Sequence, residues 1–352
     1  MENQPERWPV SVTLQLQFAD FRIDVETNSL RLAGKLQSYF SGYLAVERKT
    51  AGARLRAIVG PAEYDDAKME IWSRASTPNR LPKESFYDAG GTRRILKNRT
   101  GVLITVSEAG ATITGELDEH SNQVINLIGT MFGLSLLDKR YVMVHASAIV
   151  DANGEALVFL GNSGSGKSSL ALQLIERGGF EYLSNDRVLM RVQKDEILVA
   201  GLPKKPRVNP GTLLASESLS RLVPRPRRRA YARLAREELW KLEEKTDVDV
   251  QQDLGARSRL QAPLGRIYSL EWRPGGSGLE QRQLDADDAL TALLTTAKDF
   301  GPYDLHGAER RPQRTYSRIA RLATCIGVTG RADPPGFAKK FGRASSPSTR
   351  RA

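Results

Sequence analysis

The segment Gly161-Asn162-Ser163-Gly164-Ser165-Gly166-Lys167-Ser168 puts three glycines, a lysine and several small polar residues into eight positions. Glycines at 161, 164 and 166 let the backbone curl until successive N–H groups face one anion. Lys167 then adds a point charge in reach of the β- and γ-phosphates of a nucleotide, and the Ser168 hydroxyl is suited to Mg²⁺. Ser169 carries the hydroxyl run into the helix that follows. The spacing satisfies G-x-x-x-x-G-K-[ST], so the expected ligands are ATP, or GTP in its place, and Mg²⁺.

Such a loop works only between a strand and a helix. Glu155 to Leu160 is an apolar strand, and residues 166 to about 177 form an amphipathic helix stopped by Gly178-Gly179. The positive end of that helix faces the same phosphates. Upstream, Tyr141 to Val150 is a continuous apolar run closed by the turn Asp151-Ala-Asn-Gly154. Before it, Val124, Leu127, Ile128, Met131, Phe132 and Leu134 recur at helical spacing.

Two further residues have chemistry to offer. Asp186 closes the segment Phe180-Glu-Tyr-Leu-Ser-Asn-Asp and stands at a strand end, where a Mg²⁺ ligand or a general base is needed. His145 is a lone histidine on an apolar strand, ordinarily a packed core residue. Its position just ahead of the loop-bearing strand makes it a catalytic candidate. Lys204, Lys205 and Arg207 lie among prolines in a loop and could contact phosphoryl charge, as could Asn185, next to Asp186.

The order Val144-His145-Ala-Ser147-Ala-Ile-Val, glycine turn, phosphate loop, Ser184-Asn185-Asp186-Arg187-Val188 resembles the C-terminal catalytic domain of the bacterial HPr kinase/phosphorylases. There a His-Gly-Ser-Ala-type strand precedes the loop and an Asp-Asp-type motif follows its helix. The block Gly201-Leu-Pro-Lys-Lys-Pro-Arg-Val-Asn-Pro-Gly-Thr-Leu-Leu214, with Leu239-Trp240 later, is similar to the group called HPr-kinase-related kinase B. The resemblance spans roughly residues 119–330. It implies an α/β P-loop kinase domain of the HPr kinase and phosphoenolpyruvate carboxykinase type. It also implies transfer of a γ-phosphoryl group to a hydroxyl, a protein serine among the candidates. On this resemblance His145 matches the active-site histidine, Gly161, Gly166, Lys167 and Ser168 the nucleotide and Mg²⁺ residues, and Asp186 the second aspartate. Asn185 stands where the family has its first aspartate. The base role therefore falls to Asp186, with His145 as helper. The family's glycine-rich signature for phosphorolysis is replaced by a Pro/Lys/Arg block.

Charge and composition narrow the partners. The net charge of +11 is concentrated: residues 221–236 hold seven arginines and no acid, and residues 336–352 hold five Lys or Arg and no acid. The rest is near neutral, which argues against a nucleic-acid-binding face. The Arg-rich segment suits a mobile lid or a dock for an acidic partner. One cysteine, Cys325, in an apolar run, excludes an intramolecular disulfide and reads as a small buried hydrophobe. No signal peptide and no membrane-length apolar run is visible, so a soluble, cytoplasmic protein is expected.

Three regions emerge: an N-terminal α+β region over 1–118, the kinase domain over 119–332, and a basic tail over 333–352 expected to be disordered. The first region shows strand patterns at 11–18, 21–26, 54–59, 68–72, 92–97, 102–107 and 111–117, and a helix over 36–45. The alternatives to a protein kinase are a small-molecule kinase with an Arg-rich lid and a nucleotide-hydrolysing switch without an acceptor. An Asn-Lys-x-Asp guanine motif is absent, which disfavours a Ras-type GTPase. A homo-oligomer is compatible with the resemblance.

Overall fold

The computed structural model describes residues 12–47, 49–72, 81–235, 238–239, 242, 244–272, 278–310, 312–330 and 337. Arg236, Trp240 and the basic tail apart from Phe337 lie outside the described residues. The chain is mixed α/β and divides into two compact units. One comprises Met1–Ser135 with Asp299–Arg310, the other Leu136–Lys298 with Arg311–Ala352. The division falls within a helix rather than at residue 118, and a short later segment returns to the first unit.

The first unit carries β1 (Val12–Phe18), β2 (Phe21–Thr27), α1 (Leu30–Tyr39), β3 (Ala53–Val59), β4 (Glu70–Ile71), β5 (Glu84–Ala89), β6 (Thr92–Lys97), β7 (Val102–Ser107) and β8 (Gly110–Gly115). They form one sheet in the order β1-β2-β3-β8-β7-β6-β5-β4. All neighbours are antiparallel except β2–β3 and β3–β8, as the alternating patterns foretold for the most part. Alternation buries Leu16 and Phe18 against Ile23 and Val25 in the β1–β2 hairpin. The helix begins six residues earlier than expected because the Ser29 side chain caps it, accepting from the Leu32 N–H at 3.1 Å. The stretch after Tyr39 makes only a short 3₁₀ turn over Ser41–Tyr43.

α2 (Ser121–Asp138) leads into the second unit. There follow β9 (Val142–Val144), β10 (Ala146–Val150), β11 (Ala156–Leu160), α3 (Lys167–Glu176), β12 (Glu181–Ser184), β13 (Val188–Gln193), β14 (Glu196–Gly201), β15 (Arg207–Val208), α4 (Pro210–Leu214), α5 (Arg225–Tyr231), β16 (Thr246–Asp247), α6 (Val250–Leu254), β17 (Gln261–Leu270), β18 (Leu279–Gln283), α7 (Ala286–Thr295), β19 (Ala297–Lys298), α8 (Gln313–Leu322) and β20 (Cys325–Gly330). The main sheet runs β12-β10-β11-β17-β14-β13-β9-β19, with β20 on β17 and β18 on β20. The sheet is buried on both sides. Ala146, Ala148, Val150, Val158 and Leu160 share one core with Leu293 of α7 and Ile319 of α8. Ile149, Leu157 and Phe159 share the other with Leu170 and Leu174 of α3. Burial on both faces is why these strands read as unbroken apolar runs.

The run 141–150 is not one strand. It breaks at His145: β9 pairs with β13 and β19, whereas β10 pairs with β11 and β12. A fully apolar sequence carries no period to announce such a change of partners. Two late strands, β18 and β20, were also hidden, β20 inside the apolar run around Cys325. No helix of the described residues is long and apolar enough to cross a membrane.

Candidate functional site

The pairing of three strands explains why the sequence candidates meet. β10 lies between β11 and β12 and is antiparallel to both, in the registers Ala146↔Leu160 and Ala148↔Ser184. The residues after β11, the residues after β12 and the residue before β10 therefore emerge at one end of the sheet. These are Gly161, Asn185 with Asp186, and His145.

The loop 161–166 takes the backbone form its glycines permit. Gly161 has φ 147°, and Gly164 and Gly166 each have φ 82°. At Gly161 there is no room for anything larger. A Cβ there would stand 2.6 Å from the Ser165 Oγ and 2.9 Å from the Leu270 carbonyl oxygen. Gly166 is the N-cap of α3 and provides no side-chain cap, so the first N–H groups of the helix stay available to a ligand. The Trp272 indole N–H donates to the Ser165 carbonyl at 2.5 Å and fixes the crown of the loop from the end of β17. The Ser165 Oγ is buried without a hydrogen-bond partner among the described residues.

Lys167 is 5% exposed, and its Nζ donates to the carbonyls of Gly161 at 2.7 Å and Asn162 at 2.8 Å. Burial pulls its pKa from 10.5 to about 8, against the opposing pull of Asp186 and with help from Lys298. Its charge is thus held in place at a cost that an arriving anion would relieve. Ser168 Oγ donates to Asn185 Oδ1 at 2.6 Å, and Ser147 Oγ donates to the same atom at 2.8 Å. Ser169 turns away from the loop, its hydroxyl 2.8 Å from that of Thr212 on α4.

Asp186 sits in the left-handed region, φ 74°, which is strained for a residue with a Cβ. The turn lifts its carboxylate to the surface, 66% exposed, 3.7 Å from His145 Nε2. Burial lowers the pKa of His145 first, and Lys167 adds to it. Asp186 opposes, while Lys298 and Lys245 push the same way. The imidazole is therefore neutral at pH 7.

The basic loop divides. Lys205 pairs with Asp249 at 2.7 Å and Arg207 with Asp247 at 2.8 Å, so both are engaged in holding the loop. Lys204 is different. Burial lowers its pKa, and Asp186 is its leading counter-charge. Sequence reasoning missed Lys245 and Lys298. No local pattern marks them: the β19–β9 pairing brings Lys298 beside His145, and the charge of Lys245 acts on the same histidine. In the Arg-rich segment, Arg225, Arg229 and Arg233 are exposed and Arg227 bonds Glu244 at 3.0 Å.

These residues fit a nucleoside triphosphate. The loop amides and Lys167 suit its phosphates, and the tight packing at Gly161 against Ser165 and Leu270 holds the loop in shape. Among the described residues no group of three or more His, Cys, Asp or Glu is placed to hold a metal ion. A Mg²⁺ ion here would draw its ligands from Ser168, Asp186 and the nucleotide itself.

No protein-family model matches the sequence, and no curated protein matches it. Among solved structures the chain has a distant structural neighbour, the Hpr(Ser) kinase/phosphatase from Coxiella burnetii. The likeness has a TM-score of 0.32 and 11% identity, and covers 57% of this chain and 95% of that one. At that score the functional reading rests on the residues of the site.

Proposed function

We propose that this chain is an ATP- and Mg²⁺-dependent phosphotransferase that moves a γ-phosphoryl group to a hydroxyl, in the manner of an HPr-kinase-related kinase. The observation that carries the reading is the convergence of the Gly161–Ser168 loop, its buried Lys167, and the Asp186–His145 pair at one sheet end. The glycine loop and α3 would hold the β- and γ-phosphates in line. Mg²⁺, when bound, would neutralise charge that develops on them. The acceptor oxygen would attack the γ-phosphorus while the bond to the β–γ bridging oxygen breaks. The acceptor proton would pass to the Asp186 carboxylate, and ADP would leave. Neutral His145, beside that carboxylate, would orient it. The exposed setting of Asp186 suits a group that must meet an incoming hydroxyl.

The test is incubation of purified protein with γ-labelled ATP, Mg²⁺ and a native cell lysate, with Lys167→Ala as control. A labelled protein or metabolite that disappears in the control supports a kinase and identifies its acceptor. Free phosphate alone, dependent on Lys167, would replace the kinase with a nucleotide-driven switch.

A further inference from the structure

We propose that Phe337 is a positioning residue for the nucleotide site: through Trp272 it fixes the direction of the Ser165–Gly166 peptide in the phosphate loop, and nucleotide affinity depends on it. The proposal rests on the phosphotransferase reading and adds a residue that lies outside both the loop motif and the sheet end.

The sequence Tyr268-Ser-Leu-Glu-Trp272 sets large apolar residues at alternate positions where β17 ends. The strand period puts Tyr268, Leu270 and Trp272 on one face, and all three belong to the core shared with α3. The Glu271 N–H donates to the Val328 carbonyl at 2.8 Å, so β20 still holds the chain just ahead of Trp272. Phe337 is fully buried in the same core. Its ring meets Tyr268 at a centroid distance of 5.6 Å and an angle of 86°, and Trp272 at 5.8 Å and 88°. Both are the edge-to-face arrangement that aromatic quadrupoles favour. Tyr268 in turn stacks at 5.7 Å on Phe159, its register partner on β11. The four rings run from the strand that enters the phosphate loop to the residue that holds the loop's crown.

What that contact does follows from the peptide beyond it. The Trp272 indole N–H donates to the Ser165 carbonyl at 2.5 Å. The peptides of the described residues are all trans, and in a planar trans peptide the C=O and N–H point in opposite directions. A Ser165 carbonyl drawn to the indole therefore turns the Gly166 N–H the other way. On the nucleotide reading, that N–H is one of those that meet the phosphates. The indole holds the carbonyl through one atom, and its ring could still turn about two side-chain bonds. Phe337 packed against it removes that freedom. Without the Phe337 ring, the indole loses its partner atoms on one side. The bond to Ser165 would then be made for only part of the time, and binding would have to order the loop as well. A phenylalanine that only filled space could meet any side chain of this core. Phe337 meets the one whose polar edge grips the loop.

The test is calorimetric binding of the imido analogue of ATP with Mg²⁺ to the full chain, in wild type, Phe337→Leu, Trp272→Phe and the double variant. Phe337→Leu keeps most of the buried volume, and Trp272→Phe removes the indole N–H. Each should weaken binding by about tenfold, the effect of one hydrogen bond. The double variant should lose no more than Trp272→Phe alone, because Phe337 acts through the indole. The Trp272 indole N–H should exchange with deuterium faster in Phe337→Leu than in wild type. Leu293→Ala opens a cavity in the core on the other face of the sheet. It should lower the melting temperature and leave affinity within about twofold. Melting curves verify that each variant is folded at the working temperature, and Phe337→Met takes the place of a Phe337→Leu that is not. Wild-type affinity in the folded Phe337 variant overturns the proposal, and so does lost affinity with unaltered indole exchange. Losses that add in the double variant overturn it as well, since Phe337 would then act by another route. An equal loss in Leu293→Ala overturns it too, by making the effect one of general stability. Failure of wild type to bind the imido analogue overturns the phosphotransferase reading and this proposal together.

Discussion

Nucleotide binding should take up a proton at mildly alkaline pH, and Lys167 should be its destination. The argument begins with burial. Lys167 is 5% exposed, and its only hydrogen bonds among the described residues go to two backbone carbonyls. Its pKa falls from 10.5 to about 8, equivalent to roughly 3 kcal/mol against the charged form. Phosphates placed against the Nζ favour the charged form and return the pKa toward its ordinary value. At pH 8 the free protein holds Lys167 half protonated, so binding takes up about half a proton, rising to about three-quarters at pH 8.5. At pH 7 the uptake from this group is only about a tenth of a proton. Calorimetric titration in buffers of different ionisation enthalpy reads this number directly. Lys167→Arg, charged throughout, should lose it. Tight binding at pH 8.5 without proton uptake, or uptake unchanged in Lys167→Arg, would refute the assignment. Stability gives an independent reading. Between pH 8 and 10.5 the unfolded chain, with an ordinary lysine, binds more protons than the nucleotide-free fold. Stability should therefore rise with pH through that window, by up to roughly 3 kcal/mol relative to Lys167→Met.

Three further outcomes are expected. Gly161→Ala should abolish nucleotide binding and cost about 2 kcal/mol or more in urea denaturation. Gly164→Ala, with nothing within 4 Å of the added Cβ, should cost only about 1 kcal/mol; equal costs would contradict the loop geometry. Asp186→Asn should keep nucleotide binding and lose about 10²–10⁴ in transfer rate. Because Asp186 opposes the fall in the His145 pKa, the same variant should move the histidine's NMR titration further down, and an unmoved midpoint would separate the two residues. Cys325 is buried, which raises its pKa to about 11, so a thiol reagent should label it only in denaturant.

Much of the site was legible because it is local. The glycine spacing of 161–166 fixed both the loop and the strand and helix that flank it. Asp186 and His145 were found from their places relative to that loop, and one strand, β10, brings them to it. What escaped is what strand pairing makes. Lys298 is 153 positions beyond His145, and nothing near it in sequence differs from an ordinary solvated lysine. Lys245 is equally plain in sequence. Lys205 and Arg207 show a feature the sequence did not announce. Their composition suggested phosphate contacts, yet each has an acid placed opposite by α6 or β16. In the first unit, the Ser29 cap moved a helix that hydrophobicity alone placed six residues too late. β5 was overlooked because Glu84, Ser85 and Asp88 blur its alternation.

Asn185 ties these observations together. Its Oδ1 accepts from Ser147 and Ser168, so the amide orients the hydroxyl proton of Ser168 and leaves that oxygen's lone pairs free to face a cation. A carboxylate would accept the same two bonds. It would also place a second negative charge beside Asp186 and offset part of the charge of Lys167. The positive potential that draws a phosphate to the loop would weaken. The amide thus keeps the hydroxyl-orienting role and gives up the charge. The site retains one base and a surplus of cations.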